Sequence, residues 1–539
     1  MVHVAILLAL VSLLRPMFFR AVGEAHYRAP SILASMVRSD LGLIATAAKR
    51  HSPAISEALH FLVPTILFFL AKRRLRWTDW EHGKSLRIPV MAVVLMLAWS
   101  GATADYNNYL ARFHGTDRLL LVAFAALSWR YPIFVPLAVR WGIVMIKEAY
   151  VPIPQDDFDF RAPAEFAAVF GVFVWASFSR SFKPAHFLIA GIGSFASYYY
   201  SAGLAKWNFG PAHSWLMENH VSSLAVGGYV RGWASFVPES WFIGVIEIAR
   251  KTDRELQGYT LFIELGSLVG FFLHKRLTRW WFLGCALLNL GIFVMSGVFF
   301  WKWMTLSFVA FFWMGRSGKP LVGRLHEYKL ALLLGVASIY WGNERIWYYP
   351  QTHVVWYDTR LTHDFELYAV GQSGTKYLIQ PNFFAPSDMH FTQGRLCYAS
   401  DTARSQTGIY GTTGGLGTVK QLDKFATAEQ GLAMAERGRI CKDVKLQARF
   451  NDFIRAFFQN LNRNGKRQTW IDWIGRPDHL QAYPHAHLLD EASNPLPIFD
   501  AQEKVVSVEM WQNNAYHHGG KLHRSQPKLV HTVPIPQSP

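Results

Sequence analysis

Lys206 closes the run Tyr198-Tyr199-Tyr200-Ser201-Ala202-Gly203-Leu204-Ala205-Lys206-Trp207. Apolar and aromatic surroundings disfavour a charged ammonium, and a lysine in such a place can serve as a base. The competing reading is a lysine that snorkels from a helix end to the membrane interface. Glu264 stands within Leu261-Phe262-Ile263-Glu264-Leu265, an apolar segment. A charge at membrane depth costs about 2.5–3.5 kcal/mol, so such a residue is expected to face a partner or a wet cavity. Its competing reading is an internal hydrogen bond that fixes helix packing. Glu247 has similar surroundings in the weaker run 240–249.

Other residues carry less. His114, His213 and His220 flank helix ends, where a lone histidine is more often structural than catalytic. The His485-Ala486-His487 segment could bind a metal, because alternate residues of a strand point to one face, and the His517-His518 pair is a second candidate. No third ligand has suitable spacing, so no metal is expected. The loop holding Gly411, Gly414, Gly415 and Gly417 lacks the Lys-Ser of a phosphate cradle and the strand–helix context that goes with it.

The elements that must position these residues are membrane helices. Only 17% of the chain is charged, against roughly 25% in soluble domains. Apolar runs crowd residues 1–345, whereas 346–539 read as an ordinary polar sequence. The spacing predicts about eleven crossings, each needing ~20 mostly apolar residues. They centre on 3–19, 58–71, 88–104, 118–129, 132–147, 164–178, 187–205, 259–273, 281–300, 303–314 and 328–342. The run 240–249 is too short to span and reads as re-entrant or interfacial. The apolar stretch from Val2 to Leu14 resembles a signal peptide, but Arg15 and Arg20 follow it without a small-residue cleavage site, so it reads as a retained helix.

The net charge of +17 does not point to nucleic acid, because many basic residues lie in short loops between apolar runs, as at 72–76, 274–279 and 316–324. Such loops mark the cytoplasmic side. The alternation then places Lys206 and everything from Trp347 onward outside, in the cell inner membrane if the source is bacterial. The predicted class is a polytopic α-helical membrane domain followed by a mainly β (α+β) extracytoplasmic soluble domain. Strands are expected at 365–370 and 375–380 around a turn at 371–374, and at 468–474 and 504–511. Helices are expected near 427–437 and 448–463, and a mobile tail after Gly519. Cys397 and Cys441 can pair if this part meets an oxidising compartment.

Tyr199, Tyr200, Ala202, Gly203 and Lys206 match a Tyr–aromatic–x–Ala–Gly–x–x–Lys signature, and in that respect the chain resembles the vitamin K-dependent gamma-carboxylase and its bacterial relatives, the HTTM (horizontally transferred transmembrane) family. Phe262-Ile263-Glu264-Leu265, Asn289-Leu290-Gly291-Ile292-Phe293, the 365–384 stretch and Trp470 to Leu488 are similar to further family segments in the same order. The resemblance implies a membrane enzyme, of carbon–carbon lyase or ligase type, that oxidises a reduced vitamin K-type quinone to its epoxide. It would use O2 and CO2 to carboxylate glutamate in a peptide or protein substrate. It implies Lys206 as the base, Glu264 as polar support, His114 as a weaker catalytic candidate, and Tyr199, Tyr200 and Trp207 beside the quinone. It implies no metal. Three departures stand out: Ala286 replaces a family histidine, Tyr483 and His487 replace two aspartates, and an early Asn-Asn-His segment is only partly present as Tyr106-Asn107-Asn108 and His114. The missing histidine favours an alternative, a non-carboxylating member that serves maturation or export of peptides or toxins.

Overall fold

The structure is a computed structural model. It describes residues 2–10, 76–78, 83–103, 115–149, 166–177, 181–325, 355–404, 411–465 and 496–536, apart from a few positions within these ranges. The chain is helix-rich in its N-terminal part and carries a β-sheet region in its C-terminal part. The helices are α1 (Gly83–Thr103), α2 (Gly115–Ser128), α3 (Phe134–Ala149), α4 (Pro184–Trp207), α5 (Ser214–Glu218), α6 (Ser223–Val230), α7 (Glu239–Arg250), α8 (Asp253–Leu273), α9 (Lys275–Ser296), α10 (Trp301–Gly315) and α11 (Lys319–Leu325).

Among the described residues three helices are long and apolar enough to cross a membrane: Ser85–Thr103 of α1, Asp253–Leu273, which is α8, and Arg276–Ser296 of α9. Helices α2, α3 and α10 are apolar but have 14, 16 and 15 residues, short of the ~20 a straight crossing needs. Helix α4 has 24 residues, yet its serines, tyrosines and Lys206 dilute its apolarity, and nearly all of it is buried inside the protein. The crossings expected at 58–71 and 328–342, and most of that at 3–19, lie outside the described residues, as does the boundary at 345/346.

Helix ends follow from local chemistry. Asp253 and Glu255 occupy the first turn of α8, where the helix dipole favours negative charge. The His274 side chain accepts a hydrogen bond from the Arg276 N–H at the start of α9, and Gly297 ends that helix at φ 73°, a left-handed cap that glycine adopts without a Cβ penalty. The hairpin of α8 and α9 packs through Gly270, where an added Cβ would lie 2.4 Å from the Trp281 ring.

In the C-terminal part the main sheet has the order β3-β2-β7-β8, with β9 also on β7, all antiparallel. Its strands are β2 (Leu361–Gly371), β3 (Lys376–Ile379), β7 (Val505–His518), β8 (Lys521–Arg524) and β9 (Lys528–Pro534). Two small ladders pair β1 (Tyr357–Asp358) with β5 (Thr412–Thr413) and β4 (Ala403–Arg404) with β6 (Arg439–Ile440). Helices α12 (Leu416–Lys424), α13 (Ala428–Ala435) and α14 (Val444–Asn464) complete the part. Alternate residues Phe365, Leu367 and Ala369 of β2 face Phe450, Phe453, Ile454, Phe457 and Phe458 of α14. Asp443 caps α14 by accepting from the Lys445 and Leu446 N–H groups. Over residues 520–536 the segment after Gly519 is not a mobile tail. It forms β8 and β9, because Val533 and Ile535 are apolar enough to enter the core and hold the edge of the sheet. The strand expected at 468–474 lies outside the described residues, and Cys397 and Cys441 form a disulfide with Cα atoms 5.8 Å apart.

Candidate functional site

The site is a buried lysine–glutamate pair where two helices cross beneath the sheet part. Lys206 is in the last turn of α4, an end where the helix dipole favours a cation. Glu264 is in the middle of α8. The Lys206 Nζ donates to Glu264 Oε1 at 2.6 Å and to Oε2 at 2.8 Å. The two side chains are 11% and 8% exposed, so the charges meet in a low dielectric with little water.

Gly203 makes the approach possible. A Cβ there would lie 2.7 Å from the Glu264 Cβ and 2.8 Å from the Leu265 N. The glycine one turn before Lys206 therefore sets the separation of the helices, and with it the reach of the ammonium. The Trp215 ring in α5 covers the lysine, 5.7 Å from Nζ, and adds a cation–π contact.

The next shell ties the pair to the sheet part. The Trp215 indole N–H donates to the Trp356 carbonyl at 3.0 Å. Ser214 and Tyr357 are joined through their hydroxyls. Asn219 donates from Nδ2 to Asp358 Oδ2 at 3.0 Å, and its Oδ1 accepts from the Asp358 N–H at 2.6 Å. Gln257 of α8 donates to the Asn219 carbonyl at 2.7 Å. Asp253 accepts from the Ser222 N–H at 2.8 Å and the Ser222 hydroxyl at 3.0 Å. His220 lies 2.8 Å from Asp423 Oδ2 through Nε2 and 3.7 Å from Asp253 through Nδ1. Farther along, Arg231 after α6 meets Asp364 of β2 in a buried ion pair.

Electrostatics follow from this packing. Burial pushes the Asp358 carboxyl up to about 7, against the opposing hydrogen bonds from Asn219 and Trp356. Burial alone would lower His220, but the nearby Asp253 carboxylate and the hydrogen bond to Asp423 outweigh it and raise the imidazole to about 9.

Of the residues singled out in the sequence, the structure brings Lys206 and Glu264 together. Tyr199 accepts a hydrogen bond from Asn289 Nδ2 at 2.8 Å and stands about two turns before Lys206 on α4. Tyr200 is buried. Trp207 turns outward and stacks on His213 at 3.9 Å, away from the pair. His114 and the His485–His487 segment lie outside the described residues. His517 of the suspected metal pair instead faces Glu247 at 3.3 Å. Ala286 is wholly buried beside Cys285 in α9.

The sequence reading missed Asp253, Gln257 and Trp215. The first two had a signal, since Asp253, Gln257, Glu264 and Ser267 recur at helical spacing and all four are buried. Trp215 had none, sitting in a five-residue helix without periodicity. No family model matches the chain, and no curated protein or solved structure matches it.

Proposed function

We propose that the chain is a polytopic membrane enzyme of the vitamin K-dependent gamma-carboxylase type, in which Lys206 and Glu264 form the proton-transfer pair. The observation that carries this reading is the doubly bonded, buried Lys206–Glu264 contact beside the sheet part. In that contact the carboxylate is poised to take a proton from the ammonium. The amine left behind is a base in a site from which bulk water is excluded. A purely snorkelling lysine would extend to water; this one turns inward to a carboxylate.

The residues present fit a quinone. Phe195, Tyr198 and Tyr199 pack against Trp303 at 5.5, 5.2 and 5.5 Å between ring centres. The buried indole N–H groups of Trp301 and Trp303 have no hydrogen-bond partner among the described residues. An aromatic wall with free donors suits a flat ring bearing oxygens. A reduced vitamin K-type quinone would supply the acidic hydroxyl and the reducing equivalents. The protein's part is to orient the ring, exclude water and hold the proton at Lys206 Nζ or the Glu264 carboxylate.

The Cys397–Cys441 disulfide supports an extracytoplasmic sheet part, because such bonds persist in oxidising compartments. On that side a peptide reaches the pair from water while the quinone enters from lipid. About eleven crossings, the count read from the apolar runs, belong to this proposal.

One observation favours the second reading, a non-carboxylating protein for peptide or toxin maturation or export. Ala286 places a buried methyl group where the carboxylases of the resembled family carry a histidine. The experiment that separates the readings supplies full-length protein in vesicles with reduced vitamin K quinone, O2, labelled bicarbonate and glutamate-containing peptides encoded beside the gene. Mass spectrometry should find glutamate gaining carbon dioxide, and the Lys206→Met variant should abolish the gain. Unmodified peptides with the unsubstituted protein would favour the second reading.

A further inference from the structure

Helix α7 has twelve residues, about 18 Å in length, which cannot cross a hydrocarbon core of ~30 Å. Its side chains divide into three sectors. Phe242, Ile243 and Ile246 are buried in a cluster with Val226 and Tyr229 of α6 and Leu522 of β8. Glu239 and Glu247 face the sheet part, meeting Arg524 at 2.9 Å and His517 at 3.3 Å. The third sector is Trp241, Val245 and Ile248, spaced i, i+4, i+7 and exposed by 75%, 60% and 66%, with Phe236 in the preceding turn exposed by 64%.

Facing water, that third sector would be an unpaired apolar stripe on a helix already anchored on its other two sides. Its position gives it a different partner. Two residues after α7 ends, α8 begins at Asp253. The turn before α7 is tied to the last turns of α9, where the Trp233 indole N–H donates to the Val294 carbonyl at 3.0 Å. Helix α7 therefore lies at the level where two membrane-crossing candidates start and stop. Those helices also expose apolar side chains, Phe262 on α8 and Val294 on α9 among them. Tryptophan is favoured at that depth, with its ring in the headgroup–acyl boundary.

We infer that α7 lies in the plane of the bilayer interface, with Trp241, Val245 and Ile248 in the lipid acyl region and Glu239 and Glu247 holding the sheet part above it. Of the two readings of the 240–249 run, this selects the interfacial one. It rests on the membrane embedding of α8 and α9, and not on any reaction.

The test labels single cysteines with a nitroxide in the full-length chain, in a background where Cys285→Ala removes the one thiol outside the disulfide. Trp241→Cys, Val245→Cys, Ile248→Cys and Ser240→Cys are compared in phosphatidylcholine vesicles, with Phe262→Cys on α8 as the lipid-facing control. Power-saturation spectra should show labels at 241, 245 and 248 colliding with oxygen and losing collisions with a water-soluble nickel chelate, as at 262. The label at 240 should keep them. Nickel access at 241, 245 and 248 with 262 still shielded would overturn the inference alone. Nickel access at 262 as well would overturn the embedding and the inference together. Loss of both oxygen and nickel collisions at all three positions would mean that protein covers the stripe, which also overturns it.

Discussion

Asp253 and Glu264 are two buried acids on the same face of α8, about three turns apart, and they are satisfied in opposite ways. Asp253 sits at the helix N-terminus, accepts two hydrogen bonds from Ser222 and has the helix dipole behind it. Neutral donors fixed by the fold hold two of its bonds, and the His220 imidazole stands 3.7 Å away at the surface side. Glu264 is in mid-helix, and its carboxylate oxygens meet the Lys206 ammonium at 2.6 and 2.8 Å. Its charge depends on a partner that can itself lose a proton. The difference separates a buried acid that holds structure from one able to do chemistry. The Asp253 end docks the sheet part, and in the proposed reaction the Glu264 end would carry the proton.

The largest effect should come from breaking the Glu264 end. Lys206→Met leaves a buried carboxylate without its counterion, and such losses cost about 3–5 kcal/mol. Adding Glu264→Leu should recover most of that, since neither charge then remains. Thermal unfolding of purified single and double variants checks this, and additive losses would break the comparison. Next comes Gly203→Ala, whose methyl meets backbone and Cβ of α8. Overpacking of this kind costs about 1–3 kcal/mol and should also lower activity by lengthening the Lys206–Glu264 contact. At the other end, Asp253→Asn keeps an acceptor for Ser222 and should cost about 1 kcal/mol, with little change in turnover. A loss of turnover as complete as that of Lys206→Met would remove the distinction between the two acids.

The smallest effect is pH dependence at the docking end. Asp358 is raised in the folded chain to about 7, so its contribution to stability is full below its ordinary range near 3.9 and is lost as pH rises through 7. His220 is raised to about 9, so its contribution is full below about 6.5 and is lost as pH rises through 9. Both act in the same direction, and the unfolding temperature should fall from about pH 4 to about pH 9. Asp358→Asn should flatten the lower part of that fall and His220→Gln the upper part. A profile unchanged in both variants would place the titration elsewhere.

How much of this was legible in the sequence depended on whether the signal was local. Lys206 and Glu264 stood out because charge in an apolar run is costly wherever it lies. Their pairing was not legible, because 58 positions separate them and the contact depends on the close approach at Gly203. The α14 face of phenylalanines and the β2–β3 hairpin were legible from period and turn residues. The start of α8 was hidden by Asp253, Arg254 and Glu255, which interrupt the apolar pattern while suiting a helix N-terminus. Strands β8 and β9 were obscured by proline, histidine and serine around a short apolar alternation. The junction from His213 to Asn219 had no period to read, since its order comes from bonds to Trp356, Tyr357 and Asp358.

The central claim is that Lys206 moves a proton rather than only fixing two helices, and Lys206→Arg tests it most directly. Guanidinium can keep both bonds to Glu264, so the folded structure and its unfolding temperature should be retained. It stays protonated at any usable pH and cannot serve as the base. The measurement is turnover of labelled carbon dioxide into peptide glutamate by the arginine variant, alongside its thermal stability. The account predicts near-native stability with turnover abolished, and full turnover in the arginine variant would contradict it.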